Sequence, residues 1–270
     1  MQTLARVKSN QLVKKTTQRA MQIQTIIGLT GLAGTGKDTV ANLLCTHLQF
    51  ARYAFAEPMR HEIVDAFGID HRLLTDRPTK ELPTPELALA RCVDQAFVGT
   101  MYRHLTNHDA KDFFNQHEAP RSPRQIMQWW GTEYRRENFG PDYWSRKLIN
   151  RVYAQQTNGQ RLHVVTDVRF PEEVRAIELM GGEIWQVKRP QSSDQPAVSA
   201  HSSEVDGSAF KPTVVINNSH DIKHLQHLVL GAYFMRIAKI DAADLMSMGL
   251  VQLPLACEQW AEKKPKPLFI

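Results

Sequence analysis

The sequence predicts an α/β protein with a mostly parallel sheet and helices on both faces. Two observations predict it. Short apolar or β-branched runs alternate with amphipathic segments of helix length along most of the chain. The first such run also passes through a Gly-rich turn straight into a helical pattern.

The elements follow in order. Gln24 to Thr30 is short, partly β-branched and interrupted only by Gly28, which reads as a buried strand. From Lys37 to about Gln49, Val40, Leu43, Leu44 and Leu48 recur at helical spacing. Ala51 to Phe55 is a second short strand. Glu57 to Phe67 reads as a helix, with Pro58 in its first turn. Pro78, Pro83 and Pro85 mark Asp76 to Glu86 as an exposed connection, and Glu86 to Phe97 as the next helix. Gly99 to Pro123 carries no decided pattern. Ser122 as cap and Pro123 at the first position open a helix to about Trp130, and another runs from Asp142 to Gln155. Arg161 to Thr166 is a core strand ending at Asp167. Pro171 to Met180 is a helix closed by Gly181 and Gly182. Glu183 to Lys188 is a strand, Arg189 to Pro212 a polar loop, Thr213 to Ile216 the last strand and Asp221 to Ala238 the last helix.

Composition narrows the class. The 270 residues, 42% of them hydrophobic, suffice for a sizeable core in one large domain or one domain with insertions. The three cysteines, Cys45, Cys92 and Cys257, share no CxxC spacing, which argues against a disulfide framework or a zinc site and for a reducing, cytoplasmic setting. No apolar run has membrane-helix length, and no secretory signal is visible. The net charge of +5 suits an anionic partner. Before Asp38 there is no acidic residue, while Arg6, Lys8, Lys14, Lys15 and Arg19 are basic. This leader reads as a solvated tail, a transit peptide or a nucleic-acid contact.

Gly31-Leu32-Ala33-Gly34-Thr35-Gly36-Lys37-Asp38-Thr39 carries the chemistry, because it matches G-x-x-x-x-G-K between a strand and a helix. Glycines let backbone N–H groups turn inward on phosphate oxygens, the helix start aims its positive dipole end at the same anions, and Lys37 adds a point charge. Gly31, Gly34, Thr35, Gly36, Lys37, Asp38 and Thr39 are therefore the expected ATP-binding residues. Asp38 stands where Ser or Thr ordinarily meets magnesium, so Asp38 and Thr39 both remain candidates for the metal.

Asp167 and Arg169 follow a core strand, where ligands of parallel sheets bind. Asp167 would orient magnesium or the acceptor, and Arg169 would clamp a phosphate. Arg124, Arg135 and Arg136 gather around Trp129, Trp130 and Tyr134, a pattern shared by phosphate-and-base sites and by an aromatic core beneath a solvated face. Lys188, Arg189 and Lys211 flank a loop of lid character. His220, His224 and His227 share a helix face without a completing ligand set, so no metal site is expected there. Hydrolase and zinc-protease motifs are absent from the sequence.

These residues carry a family resemblance. The chain resembles the bacteriophage-type deoxynucleoside monophosphate kinases of the P-loop nucleoside monophosphate kinase fold. The likeness rests on Gly31 to Asn42 (GLAGTGKDTVAN), Phe55 to Arg60 (FAEPMR), Pro123 to Trp144 (PRQIMQWWGTEYRRENFGPDYW), Val165 to Phe170 (VTDVRF) and His201 to Glu204 (HSSE). The resemblance implies transfer of the γ-phosphoryl of ATP to a deoxynucleoside monophosphate with Mg2+. It places Lys37, Asp38, Asp167 and Arg169 in catalysis and Arg189 with ATP. Arg60, Arg124, Gln128, Trp129, Gly131, Thr132, Glu133, Arg136 and Arg169 would lie at the acceptor. The expected division is a basic tail over 1–22, a kinase domain over 23–240 and a C-terminal extension over 241–270; the resemblance does not cover the first 22 residues or the end after about Ala238. Within the domain, the core would be 23–56 and 160–240, the acceptor-binding helical region 57–159 and the lid about 189–212. A homodimer is the expected assembly, with no membrane and no nucleic-acid partner. The rivals are another small-molecule kinase of this fold, such as dephospho-coenzyme A kinase, and a nucleic-acid-binding ATPase. GKDT in place of GKS favours the nucleotide reading.

Overall fold

The computed structural model describes residues 23–76, 78–106, 110–190, 211–240 and 245–246. In chain order the elements begin with β1 (Thr25–Thr30), α1 (Lys37–Leu48), β2 (Ala51–Tyr53) and α2 (Ala56–Phe67). Then come α3 (Gln95–Thr106), α4 (Ala110–Glu118), α5 (Pro123–Gln128) with a π-helical continuation over Trp129–Arg136, and α6 (Tyr143–Thr157). Next are β3 (Leu162–Val165), α7 (Pro171–Leu179), β4 (Glu183–Lys188), β5 (Val214–Asn217) and α8 (Ile222–Ala232), which a π-helical turn over Tyr233–Ile237 continues. They pack into two compact units, one built from the chain up to Tyr53 and from Ala154 onward, the other from Ala54–Tyr153.

The first unit holds the sheet. Its five strands run in the order β2-β3-β1-β4-β5, and every pairing is parallel. All six residues of β1 are buried, as a central strand covered on both faces requires. Alternation sorts the side chains. Ile27, Leu29, Leu162, Val164, Trp185, Val187, Val214 and Ile216 form one cluster with Val40 and Leu44 of α1 and Leu225 and Val229 of α8. Each such side chain, fully buried, contributes about 1.5–3 kcal/mol. The opposite face receives α7: a Cβ on Gly28 would lie 2.9 Å from Ile184 and 3.3 Å from Ile177, so the glycine makes room for close helix packing. The expected α/β architecture with helices on both faces is thus observed. From β1 the chain runs to the edge at β2, returns to β3, then crosses to β4. The strand order therefore reverses around β1, the place where such sheets open a ligand crevice at their carboxyl ends.

The second unit is helical among its described residues, apart from an isolated bridge between Thr84 and Arg121. Phe67, Phe97, Trp130 and Tyr134 form its aromatic centre, with the Phe97 and Trp130 rings 4.6 Å apart. Two expectations are corrected here. The helix expected over Glu86 to Phe97 is instead two 3₁₀ turns, Pro85–Leu87 and Leu89–Arg91, and the true helix starts at Gln95. Asp94 decides this, since its Oδ1 accepts the N–H groups of Ala96 and Phe97, both at 3.0 Å, and so acts as the cap. The helix opened by Ser122, whose hydroxyl accepts from Gln125 N as expected, does not stop near Trp130. It widens into the π-helix and runs on through Glu137–Phe139. Trp144 Nε1 donates to Gly131 O at 3.1 Å in this stretch, bonding a carbonyl of the widened turn.

Among the described residues no helix is long and apolar enough to cross a membrane. Cys45 and Cys92 are free thiols, and burial pushes Cys92 up to about 12. The basic leader, most of the lid segment with its HSSE stretch, most of the C-terminal extension and Cys257 lie outside the described residues.

His163 is fully buried on β3, where Nε2 donates to Gln160 O at 3.1 Å and Nδ1 accepts from the Tyr53 hydroxyl at 3.2 Å. Burial holds its imidazole below the usual histidine range. The unfolded chain then takes up the proton first, so stability falls as pH drops through about 6.5 toward the folded value. We expect the melting temperature to decline from about pH 7.5 to about pH 5.5, with a shallower decline in His163→Gln. Equal slopes in the two proteins would remove His163 from the pH response.

Candidate functional site

The phosphate loop joins β1 to α1 in the first unit. Gly31, Gly34 and Gly36 have φ of 136°, 77° and 103°, the left-handed region that only glycine enters cheaply. Two of the three are also pinned by neighbours. A Cβ on Gly31 would lie 2.3 Å from the Val187 carbonyl of β4, and one on Gly36 would lie 2.5 Å from Asn218 Nδ2. Gly34 has open space around it, so its requirement is conformational alone. Thr35 is buried and its hydroxyl donates to Leu32 O at 2.9 Å, closing the turn from inside. Lys37 Nζ donates to Gly31 O at 2.7 Å and Leu32 O at 2.8 Å, which carries the ammonium back across the loop. The N-terminus of α1 faces the same space, since Gly36 is its cap and Val40 N–H is the first donor to Gly36 O, at 2.9 Å.

Asn218 was not singled out by the sequence, yet it holds this loop. It is buried at the end of β5, its N–H donates to Lys188 O at 2.7 Å, and its Nδ2 donates to Thr35 O at 2.9 Å. The signal that pointed to it was position: the first residue beyond a core strand, at the carboxyl edge of a parallel sheet. Arg52 of β2 was missed as well. Its guanidinium pairs with the exposed Asp38 carboxylate and donates to Asn42 Oδ1 at 3.0 Å. Asp38 therefore carries a cationic partner from the same sheet. Thr39 is half-buried on the next position of α1.

Asp167 sits between two anchors. Thr166 N–H donates to Tyr53 O at 3.0 Å and Val168 N–H donates to Leu29 O at 3.2 Å, so the backbone on either side is tied to β2 and β1. This places Asp167, half-buried, at the carboxyl ends of the central strands. Arg169 is exposed, and its N–H is held by the buried Glu173 carboxylate at 2.8 Å. Arg189 is exposed just beyond β4.

In the second unit most of the candidate acceptor residues between Arg124 and Arg136 share a face, and Gly131 does not. Arg124, Gln128 and Thr132 are exposed and recur four apart, and Trp129, Glu133 and Arg136 flank them half-buried. Ile126, Met127, Trp130, Gly131 and Tyr134 fill the buried side. The two tryptophans are thereby separated. Trp130 is 1% exposed and donates to Glu62 Oε2 at 2.9 Å, so it is core. Trp129 reaches the partly exposed face, with the Arg121 guanidinium 5.1 Å above its ring. Gly131 has a packing role, because a Cβ there would lie 2.9 Å from Met59 Sδ.

The arginines divide in the same way. Arg135 is structural: its Nε donates to Glu62 Oε2 at 2.7 Å, and its guanidinium lies 4.4 Å from the Tyr134 ring centre. Glu62 also accepts from the Tyr143 hydroxyl at 2.9 Å. Burial alone pushes the Glu62 carboxyl up, but the bonds from Trp130, Arg135 and Tyr143 together hold it below the usual carboxylate range. Arg124 pairs with Glu81, and Arg60 donates to Glu57 Oε2 at 3.2 Å. Burial, with the nearby Glu137 charge, raises Glu133 above the usual range, while Gln128 hydrogen-bonds to it.

A glycine-pinned phosphate loop at the reversal point of a parallel sheet, with a lysine at the helix start, defines a P-loop phosphotransferase-type protein. Comparison with known proteins gives the family. The model of the deoxynucleotide monophosphate kinase family matches residues 86–229, and the chain belongs to that family. It is 25% identical over 233 residues to the deoxynucleotide monophosphate kinase of Enterobacteria phage T4, covering 74% of this chain and 95% of the phage protein. It is 28% identical over 178 residues to the deoxynucleoside-5'-monophosphate kinase of Escherichia phage T5, covering 55% and 69% of the two chains. The chain is accordingly a phosphotransferase with a nucleoside monophosphate as substrate.

The loop geometry orders the cost of substitutions. Gly31→Ala, facing a backbone carbonyl, should lower the melting temperature most, Gly36→Ala less, and Gly34→Ala least, at about 1 kcal/mol. Asn218→Ala should cost about 1–3 kcal/mol, the range for leaving a buried carbonyl unpaired. Urea denaturation of the four variants checks both statements; a Gly34 variant as unstable as the Gly31 one would contradict the packing argument.

Proposed function

We propose that the chain transfers the γ-phosphoryl group of ATP to a deoxynucleoside 5′-monophosphate, giving ADP and the deoxynucleoside diphosphate, with Mg2+ as the accompanying cation. The observation that carries the reading is the phosphate loop, whose glycine conformations, buried Thr35 and Lys37 make an anion cradle in a member of this kinase family.

Phosphoryl transfer asks little covalent help of a protein; positioning and charge neutralisation supply most of the rate. Lys37 exchanges its two carbonyl acceptors for β- and γ-phosphate oxygens, a replacement of weak neutral acceptors by charged ones. The N–H groups of the first turn of α1 bind the same phosphates. Asp38 and Thr39 offer oxygen donors, the class that Mg2+ takes, usually one or two from protein and the rest from phosphate and water. They fit the ion, which would neutralise the phosphate charge that develops in transfer. Arg52 beside Asp38 limits the negative charge that the carboxylate brings to the triphosphate.

Asp167 orients the acceptor monophosphate, whose phosphate oxygen is the nucleophile, and Arg169 receives that phosphate. Arg60, Arg124, Arg136, Gln128, Thr132 and Glu133 form the acceptor surface of the second unit, with Trp129 against the sugar or base. Arg189 joins the ATP side. A homodimer in the cytoplasm completes the reading.

Coupled ADP release with ATP, Mg2+ and each deoxynucleotide, its ribose counterpart, dephospho-coenzyme A and single-stranded DNA tests it. Turnover is expected only with deoxynucleoside monophosphates. Release that depends on dephospho-coenzyme A or DNA would transfer the chain to a rival class. Lys37→Ala should reduce kcat by orders of magnitude, on the order of 10² or more, with the fold retained by circular dichroism. Trp129→Ala should narrow the preference for deoxyribose over ribose; unchanged selectivity would exclude Trp129 from the sugar contact.

A further inference from the structure

We infer that the second unit carries a site for a divalent transition metal of the zinc class, formed by Glu57, His61 and His71. One ligand atom from each lies within 4.8 Å of the other two. Glu57 Oε1 is 3.2 Å from His61 Nε2 and 3.9 Å from His71 Nε2. Ligands at metal–nitrogen and metal–oxygen distances of about 2.1 Å in tetrahedral geometry stand about 3.4 Å apart. With no pair of ligand atoms more than 4.8 Å apart, the triad needs side-chain shifts of only about 1–1.5 Å to close on an ion.

Local structure builds the arrangement. Glu57 and His61 are one turn apart on α2, so both project from the same helix face. Gly68 ends α2 with a left-handed φ of 64°, which turns the chain back and brings His71 beside them. The imidazole rings lie 5.9 Å apart. The two Glu57 oxygens have divided tasks, Oε1 toward the histidines and Oε2 accepting from Arg60 Nη1 at 3.2 Å. A partner on the second oxygen is what orients a ligating carboxylate.

The need for a cation is a matter of lone pairs. Neutral imidazoles that present Nε2 as acceptors to a carboxylate bring three electron-rich atoms together. Glu57 Oε1 is within hydrogen-bond reach of His61 Nε2 at 3.2 Å but not of His71 Nε2 at 3.9 Å. His71 Nε2 is shielded from solvent and has no hydrogen-bond partner among the described residues. One metal ion satisfies all three atoms. Two imidazoles and one carboxylate select Zn2+ or its neighbours, whereas Mg2+ prefers an all-oxygen set. With three protein ligands a fourth position stays available to water or an anionic oxygen. The proposal uses none of the residues assigned to Mg2+ and does not depend on the kinase reading.

The test uses the full-length protein, stripped with chelator, in buffer with millimolar Mg2+. Zn2+ binding is followed by calorimetry, and Co2+ binding by its visible absorption. The expected result is a saturable Zn2+ site that Mg2+ does not displace, weakened roughly tenfold or more in His61→Ala and in His71→Ala. His224→Ala, which removes a histidine of α8 that lies 4.5 Å from the His220 ring, should leave it unchanged. Zn2+ should also raise the melting temperature of the wild type and not that of the double His variant. Should His71→Ala fold poorly by circular dichroism, His71→Gln replaces it. The proposal is overturned if no saturable site exists, if both single variants bind as the wild type does, or if loss follows His224→Ala instead.

Discussion

Close approach of the phosphate loop to the ends of β4 and β5 is the constraint on which the catalytic end of the sheet depends. The Val187 carbonyl occupies the space a Gly31 side chain would need, and Asn218 occupies that of Gly36. The loop can therefore turn only along one path, with its backbone donors gathered at the start of α1. Thr35 closes the turn internally, and Asn218 ties it to the far strand through Thr35 O. Because Asn218 is itself fixed by Lys188 O, the phosphate cradle inherits the rigidity of the parallel sheet. Preorganised donors of this kind need no rearrangement as charge develops, which is where electrostatic catalysis gains most.

The second unit solves a different problem. A helix that presents a polar, exposed side must hold its other side against an aromatic centre while burying polar atoms. Glu62 resolves this by accepting from Trp130, Arg135 and Tyr143 at once. A single buried carboxylate would be costly, and removal of one partner from such a network leaves a charge unpaired. Satisfied, it fixes Trp130 as core and consumes Arg135. The π-helical turn follows from the same demand, since it keeps Trp130, Gly131 and Tyr134 inward while Gln128, Thr132 and Arg136 remain on the outer face.

For a kinase of deoxynucleoside monophosphates this division of labour is physically sensible. In the proposed reading the triphosphate takes a stiff cradle of backbone donors at the carboxyl end of the sheet, and the acceptor takes longer side chains that helices present at regular spacing. Asp38 shows how far context modifies a motif: a carboxylate in a phosphate loop adds negative charge there, and Arg52 of β2 is the cation paired with it.

By itself the sequence determined the α/β class, the strand–loop–helix order and the phosphate loop. Those rest on local rules: period-2 and period-3.6 patterns, glycines at fixed offsets, and caps such as Ser122 and Asp221, whose side chains accept from Gln125 N and His224 N. The start of α3 joins both levels: Asp94 caps Ala96 and Phe97 locally, and its carboxylate is held from afar by the Tyr134 hydroxyl at 3.0 Å, which only the tertiary structure supplies. Only the tertiary structure decided which tryptophan is core and which arginine is structural. Trp129 and Trp130 are adjacent and alike, and their fates part only through the direction in which the helix packs. The roles of Asn218 and Arg52 arise from partners 183 and 14 residues away in sequence. No local pattern encodes such pairings, since they exist only once parallel strands have brought distant positions to one edge of the sheet.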